Sequence, residues 1–357
     1  DVRHYAKPRV KLHNEGLGDY YTEGYRSLNQ REWKGVRDTA YDFASWLKVY
    51  GYMAVTLGKH PVALTKSFVR YPWMASYLTV ANMLDRHKLG LRGKQLRYTQ
   101  EQFYGVVHNS VDVIAKIIER DENLNSPNNK RAAKLRAKTV MFDEMTPSII
   151  MAGFPMLDWI DIAMSPVCLP GEVDQNANIM YVDAAERMGL AADVCPLPSA
   201  EVGCAIVDDY PQVGSSFITS SMPCDGSLGA ALFMDRYMKK LPSFTLTPPQ
   251  RFNEPETNAY AVKDLKNCIR FIEETYDVKW DWDAFWKKAE EYNKTTQCML
   301  DKWDVNCTPY PQVIGSALSL QREYEFQTAA CLDSFMTKQD EKVTKMMLKG
   351  YEEDREA

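Results

Sequence analysis

The chain has 357 residues, 45% hydrophobic and 25% charged, the proportions of a soluble globular protein with room for two or three domains. A net charge of −5 argues against a nucleic-acid surface as its main business. The longest apolar runs, such as Ser148 to Met156, are too short to span a bilayer, so no membrane span is expected. The first residues, starting at Asp1, show no apolar signal-peptide core.

Residues 1 to about 25 are polar and rich in tyrosine and read as an arm or loop. From Gln30 to Gly58, Trp33, Val36, Ala40, Phe43, Leu47 and Tyr50 recur near helical spacing. Pro61 to Arg86 reads as two helical segments broken at Pro72, and Tyr98 to Arg120 as another with Val111, Ile114 and Ile118 along one side. Asp121 to Lys130 (DENLNSPNNK) has no apolar periodicity and reads as a linker. The expectation is a helical extension over residues 1–130. Its large aromatics, Trp33, Trp46 and Trp73 among them, suit subunit contacts.

Past the linker, Arg131 to Lys138 is a short basic helix and Thr139 to Phe142 a first buried strand. Pro147 favours a helix over Ser148 to Gly153, and Leu157 to Ala163 is a second strand. Met180 to Met188 is a helix stopped by Gly189, with Leu190 folding back on it. Cys195 lies in a Pro-flanked turn, and Ser199 and Glu201 look like the cap and first-turn acid of a helix reaching Asp208. Ser215 to Ser221 is a third strand. Cys224 follows it and opens a helix, where the dipole stabilises a thiolate. A further strand falls near 243–247. Strands alternating with helices imply parallel pairing in a layered α/β lobe, residues 131–250. The remainder, 251–357, is helical: Thr257–Thr275, Asp283–Trp303 and Ser316–Lys349. The fold class is therefore α/β: a helical N-terminal region, a parallel-sheet three-layer lobe and a helical C-terminal segment.

Eight cysteines lie at 168, 195, 204, 224, 268, 298, 307 and 331, without a CxxC pair. In so large a chain they read as reduced cytoplasmic thiols rather than a disulfide framework. Cys195 and Cys224, each at a turn beside one sheet, suit a shared ligand site; their bland reading is two small buried hydrophobes. Cys204, between Gly203 and Ala205, reads as core, as do the four cysteines of the final region. The five histidines all precede residue 109, so the lobe has none for a triad or a His-ligated metal. Asp143, Glu144, Thr146 and Ser148 surround the turn after the first strand, where open α/β folds bind ligands; helix capping by the same residues is the alternative. Asp208 and Asp209 read as solvated. No GxxxxGK[ST] supports ATP binding.

The order of these features resembles the 2-hydroxyacyl-CoA dehydratase and benzoyl-CoA reductase family. The matching pieces are Ala184 to Cys195, the strand ending at Cys224, the run after Leu241, and Val278-Lys-Trp280-Asp281 with Phe285, where the family carries a G-K/R-x-(W/Y/F)-D turn. The resemblance spans roughly residues 138 to 350. It implies a [4Fe–4S] cluster held by three cysteines, of which Cys195 and Cys224 fall on the first two. The third belongs to a second α/β lobe, to which residues 251–357 would lead. It also implies that Glu144, Thr146 and Ser148 line the substrate pocket, where a hydroxyl binds the unique iron or orients a thioester carbonyl. Expected partners are a homologous second subunit, a separate ATP-dependent activator that injects one electron, and an acyl-CoA substrate. In the dehydratase branch the electron reaches the thioester carbonyl and the ketyl radical anion expels the α-hydroxyl. In the reductase branch it enters an aromatic ring. A non-catalytic scaffold subunit of the same fold is the reading from a different class.

Overall fold

The computed structural model describes residues 61–70, 93–143, 146–161, 179–207, 209–221, 226–231, 241–249, 254–313 and 334–356, with isolated positions elsewhere. Its elements are α1 (Pro61–Arg70), α2 (Gly93–Arg120), α3 (Lys130–Arg136), β1 (Thr139–Phe142), a 3-10 helix (Ser148–Gly153), β2 (Asp158–Asp161), α4 (Ile179–Arg187), α5 (Pro196–Ile206), β3 (Ser216–Ser220), β4 (Ser243–Leu246), α6 (Pro255–Tyr276), α7 (Trp282–Asn306) and α8 (Ser334–Glu356). The four strands form one parallel sheet in the order β2-β1-β3-β4. All four fall where the sequence places them.

β1 and β3 are buried along their whole length, so each strand feeds both faces of the sheet. On one face Met141, Ile160 and Phe217 pack with Tyr181 and Ala185 of α4, Val202 and Cys204 of α5, and Val113 of α2. On the other, Val140, Phe142, Ile218 and Leu246 pack with Ile150 and Met151 of the 3-10 helix and Cys268 and Ile272 of α6. The result is a three-layer lobe.

Local chemistry explains the ends of these elements. α4 stops at Gly189, whose φ of 102° suits glycine. Leu190 N–H then bonds Ala185 O and Gly189 N–H bonds Glu186 O, the six-to-one and five-to-two pattern of a Schellman cap. The Ser148–Gly153 segment is 3-10 rather than α. It is only six residues long, and the Trp280 ring sits where a Cβ on Gly153 would be, 2.6 Å from that position. α7 begins on Asp281, which accepts from Ala284 N–H at 3.0 Å.

The stretch 121–130 is no free tether. Asp121 and Leu124 are buried, Glu122 N–H bonds Gln212 O, and Gln212 N–H bonds Asp121 Oδ1. α2, about 42 Å long at 1.5 Å per residue, joins the lobe to the C-terminal helices. Its far end meets α8 through Lys94 with Asp354 and Glu101 with Gln339 and Lys342. Its near end meets the sheet through Lys116 and Arg120 with Asp158. α7 and α8 pack through the fully buried Lys302–Asp340 pair and a bond between Thr295 and Thr337. No helix among the described residues is long and apolar enough to cross a membrane.

Candidate functional site

The site rests on the direction of α5. Glu201 Oε1 accepts from Tyr210 Oη at 2.7 Å, and burial first, then Glu201, Asp143 and other nearby acids, holds that phenol well above its usual pKa. Asp143 and Asp161, both felt by Tyr210, stand at the C-terminal ends of β1 and β2. Cys204, toward the other end of α5, feels Asp121, which lies beside the start of β1. α5 therefore runs against the strands and begins on their C-terminal side, the edge at which open parallel sheets bind ligands.

That beginning is Cys195. It is the N-cap, with φ −50° and ψ 131°, and its side chain takes no part in capping. Its sulfur is exposed. The sequence suggests Ser199 as the cap, but the cap is four residues earlier, because Pro196 has no N–H to satisfy and its φ is already helical. Ser199 instead donates its hydroxyl back to Cys195 O at 2.9 Å, steadying the turn that carries the thiol.

At the same edge lies a set of buried polar side chains. Asp143 N–H bonds Ile218 O at 2.9 Å, extending the β1–β3 ladder by one residue, and Thr146 N–H reaches Asp143 O at 3.4 Å. Thr146 is 2% exposed, and its Oγ1 has no hydrogen-bond partner among the described residues. A buried hydroxyl left so is costly. Ser148 is buried at the head of the 3-10 helix, and Asp161, Ser220 and Ser221 are buried at the ends of β2 and β3. Glu144 lies outside the described residues, and so does Cys224; Ser221, three positions before Cys224, follows β3 directly.

The structure thus brings Thr146, Cys195 and the end of β3 to one edge of the sheet. The sequence reading missed Asp161 and the Glu201–Tyr210 pair. Their convergence depends on the strand order, and the only local hint was the acid that closes β2, Asp158–Asp161.

The remaining described cysteines differ from Cys195. Cys204 is fully buried; burial, with Asp209 adding to it, pushes its thiol well up, although a bond with Tyr181 works the other way. Cys268 is buried and pushed up to about 12 by the same desolvation. Both are core residues, as expected. Cys298 is half-buried, with its thiol also raised by burial, and Cys307 is exposed past the end of α7. Cys168 and Cys331 lie outside the described residues. Among the described residues no three His, Cys, Asp or Glu side chains are grouped to hold a metal ion.

The architecture is that of a parallel α/β lobe, with Cys195 exposed at a helix start. Residues 173–343 match the family model described as 2-hydroxyglutaryl-CoA dehydratase, D-component. The match identifies this stretch as 2-hydroxyacyl-CoA dehydratase-family sequence and supports reading the chain as a subunit of that class. It takes in Cys195, Cys224, β3, β4 and the helices to the middle of α8; β1, β2 and Thr146 precede it. No curated protein matches the chain.

Proposed function

We propose that the chain is a subunit of an iron–sulfur 2-hydroxyacyl-CoA dehydratase-like enzyme, a lyase that removes water from a CoA thioester after one-electron reduction. The observation that carries the reading is Cys195: an exposed thiol at a helix start, on the ligand-binding edge of the sheet, inside the stretch that matches the family model.

We read Cys195 and Cys224 as two of the thiolates that would hold a [4Fe–4S] cluster. Cys195 is free of any capping bond, and the partnerless Thr146 hydroxyl waits at the same edge. Cys195 and Cys224 would hold the cluster, which supplies one low-potential electron when bound. Thr146 or Ser148 would hydrogen-bond the thioester carbonyl, holding the acyl group in one orientation. Glu144, in the same turn, would take up a proton from the substrate. The buried walls of β1 and β3 would keep water from the reacting carbonyl. Its partners would be a homologous second subunit and an ATP-dependent activator, and its compartment the cytoplasm.

The test is turnover. The chain, combined anaerobically with a homologous second subunit, an activator, ATP and a reductant, should convert a 2-hydroxyacyl-CoA to the enoyl-CoA. The Thr146→Val variant should keep any iron and lose at least tenfold in kcat. Reduction of an aromatic acyl-CoA in place of dehydration would assign the ring-reductase branch. No reaction with either substrate by a correctly assembled complex would favour the scaffold reading.

A further inference from the structure

α2 is held in two different ways along its length. Its near half is sealed into the lobe: Val113 lies in the core over one sheet face, and Lys116 and Arg120 are bonded to Asp158. Its far half, from Gly93 to Gly105, lies against α8, and there the contact is mostly polar. Gln339 Nε2 donates to Glu101 O at 2.8 Å and to Glu101 Oε2 at 2.9 Å, and Lys342 Nζ donates to Oε2 at 2.6 Å. Lys94 Nζ reaches Asp354 at 2.7 Å and Glu353 at 2.9 Å. The side chains of Lys342, Glu353 and Asp354 are 42–50% exposed, so water and salt weaken these pairs. Tyr98 adds an apolar contact, lying beside Gly350 and in one cluster with Val343 and Met347.

The same seam leaves polar groups unsatisfied. Gln102 follows Tyr98 by four residues and precedes Gly105, which abuts Met336 and Gln339, by three, so it stands on the face turned to α8. It is 1% exposed, and among the described residues neither its Oε1 nor its Nε2 has a hydrogen-bond partner. Thr99, one turn earlier, is fully buried with its Oγ1 equally unpaired. Both side chains lose water when the seam closes and form no bond in exchange. Opening rehydrates them, which offsets much of what the Glu101 and Lys94 contacts lose. On its other side α8 is held more firmly, by the buried Lys302–Asp340 pair and the Thr295–Thr337 bond. Removing one partner there would strand a buried charge. Parting the α2 seam strands none, since Lys94, Glu101, Lys342 and Asp354 all then reach water.

We propose that residues 93–105 of α2 form a releasable strap on the α7–α8 pair, opening as a unit while the sheet and the rest of α2 stay folded. Such sub-global opening occurs where buried apolar contact is sparse. Freed of α8, the end of α2 frays, because most helix stability comes from tertiary packing. Its release uncovers Gln339 and Lys342 of α8. The inference does not depend on the iron–sulfur reading, since it concerns the opening of the fold and not chemistry.

Native-state hydrogen exchange of the full chain, read by mass spectrometry, tests it. Amides of residues 93–105 should exchange faster than those of β1 and β3, and raising the salt from about 0.05 M to about 0.5 M should speed them about threefold. Gln102→Leu should slow exchange over 93–105 about tenfold and leave β1 and β3 unchanged, because an unpaired buried amide is removed at similar volume. Thr99→Val should act in the same direction. Cleavage of the native wild type by subtilisin within 93–105 should fall in the same proportion in both variants, since it tracks the open population. Exchange over 93–105 as slow as in β1 would overturn the proposal. So would slowing by Gln102→Leu that extends equally to β1 and β3, which would make the opening global, or exchange that is unchanged or faster in both variants.

Discussion

Arg120 and Asp158 join the last turn of α2 to the first residue of β2, with Nη2 2.5 Å from Oδ2. Lys116 approaches the other carboxylate oxygen at 2.8 Å, and Arg120 Nε also donates to Thr139 Oγ1 at the start of β1. Arg120 therefore fastens the last turn of α2 to the two strands β1 and β2.

Burial alone would raise the pKa of Asp158, but Lys116 and Arg120 outweigh it and hold the carboxyl below its ordinary value of 3.8. A depressed folded-state value contributes stability that is present above the ordinary carboxylate pKa and lost as pH falls through the folded one. The wild type should therefore lose stability below about pH 4. Asp158→Asn should flatten that acid limb and cost about 2 kcal/mol at pH 7, because Arg120 is left nearly buried without its main partner. Urea unfolding at pH 7 and pH 3 checks both effects; an unchanged acid slope would contradict the assignment.

Residues 93–130 belong physically to the lobe. Val113 is part of the core over one sheet face, and Asp121 anchors the loop before β3. A chain beginning at Arg131 should be insoluble, or should lack a cooperative thermal transition. A soluble product with native helix content would show that α2 is dispensable.

Gly203 is where α4 and α5 touch. A Cβ there would fall 1.8 Å from Tyr181 O, a backbone atom that cannot turn aside. Gly203→Ala should separate the two helices and destabilise the protein by about 3 kcal/mol, read from denaturant midpoints. A loss under about 0.5 kcal/mol, the size of an ordinary surface substitution, would mean the helices are farther apart than described.

The strands were legible in the sequence because each is a short β-branched or aromatic run between turn residues; β1 ends at the predicted positions. Capping at Gly189 was equally legible. What composition concealed was long-range pairing. The polar stretch 121–130 looked like a tether, since nothing local shows that Asp121 will be held by Gln212, ninety-one positions away. The residue type of Ser199 suits a cap, whereas Pro196 starts the helix first. Of the site, Cys195 and Thr146 were readable from turns after or beside strands. Asp161 and Tyr210 were not, because only the β2-β1-β3 order brings them to the same edge.

The central claim is that Cys195 is a cluster ligand while Cys204, nine positions along the same helix, is core. Iron content with an absorbance scan after anaerobic purification tests it most directly. The wild type should be brown with about four irons per cluster. Cys195→Ser and Cys224→Ser should be folded and colourless, and Cys204→Ser should keep its iron with only about 1 kcal/mol of lost stability. A colourless wild type, or a Cys195→Ser variant with full iron content, would contradict the account.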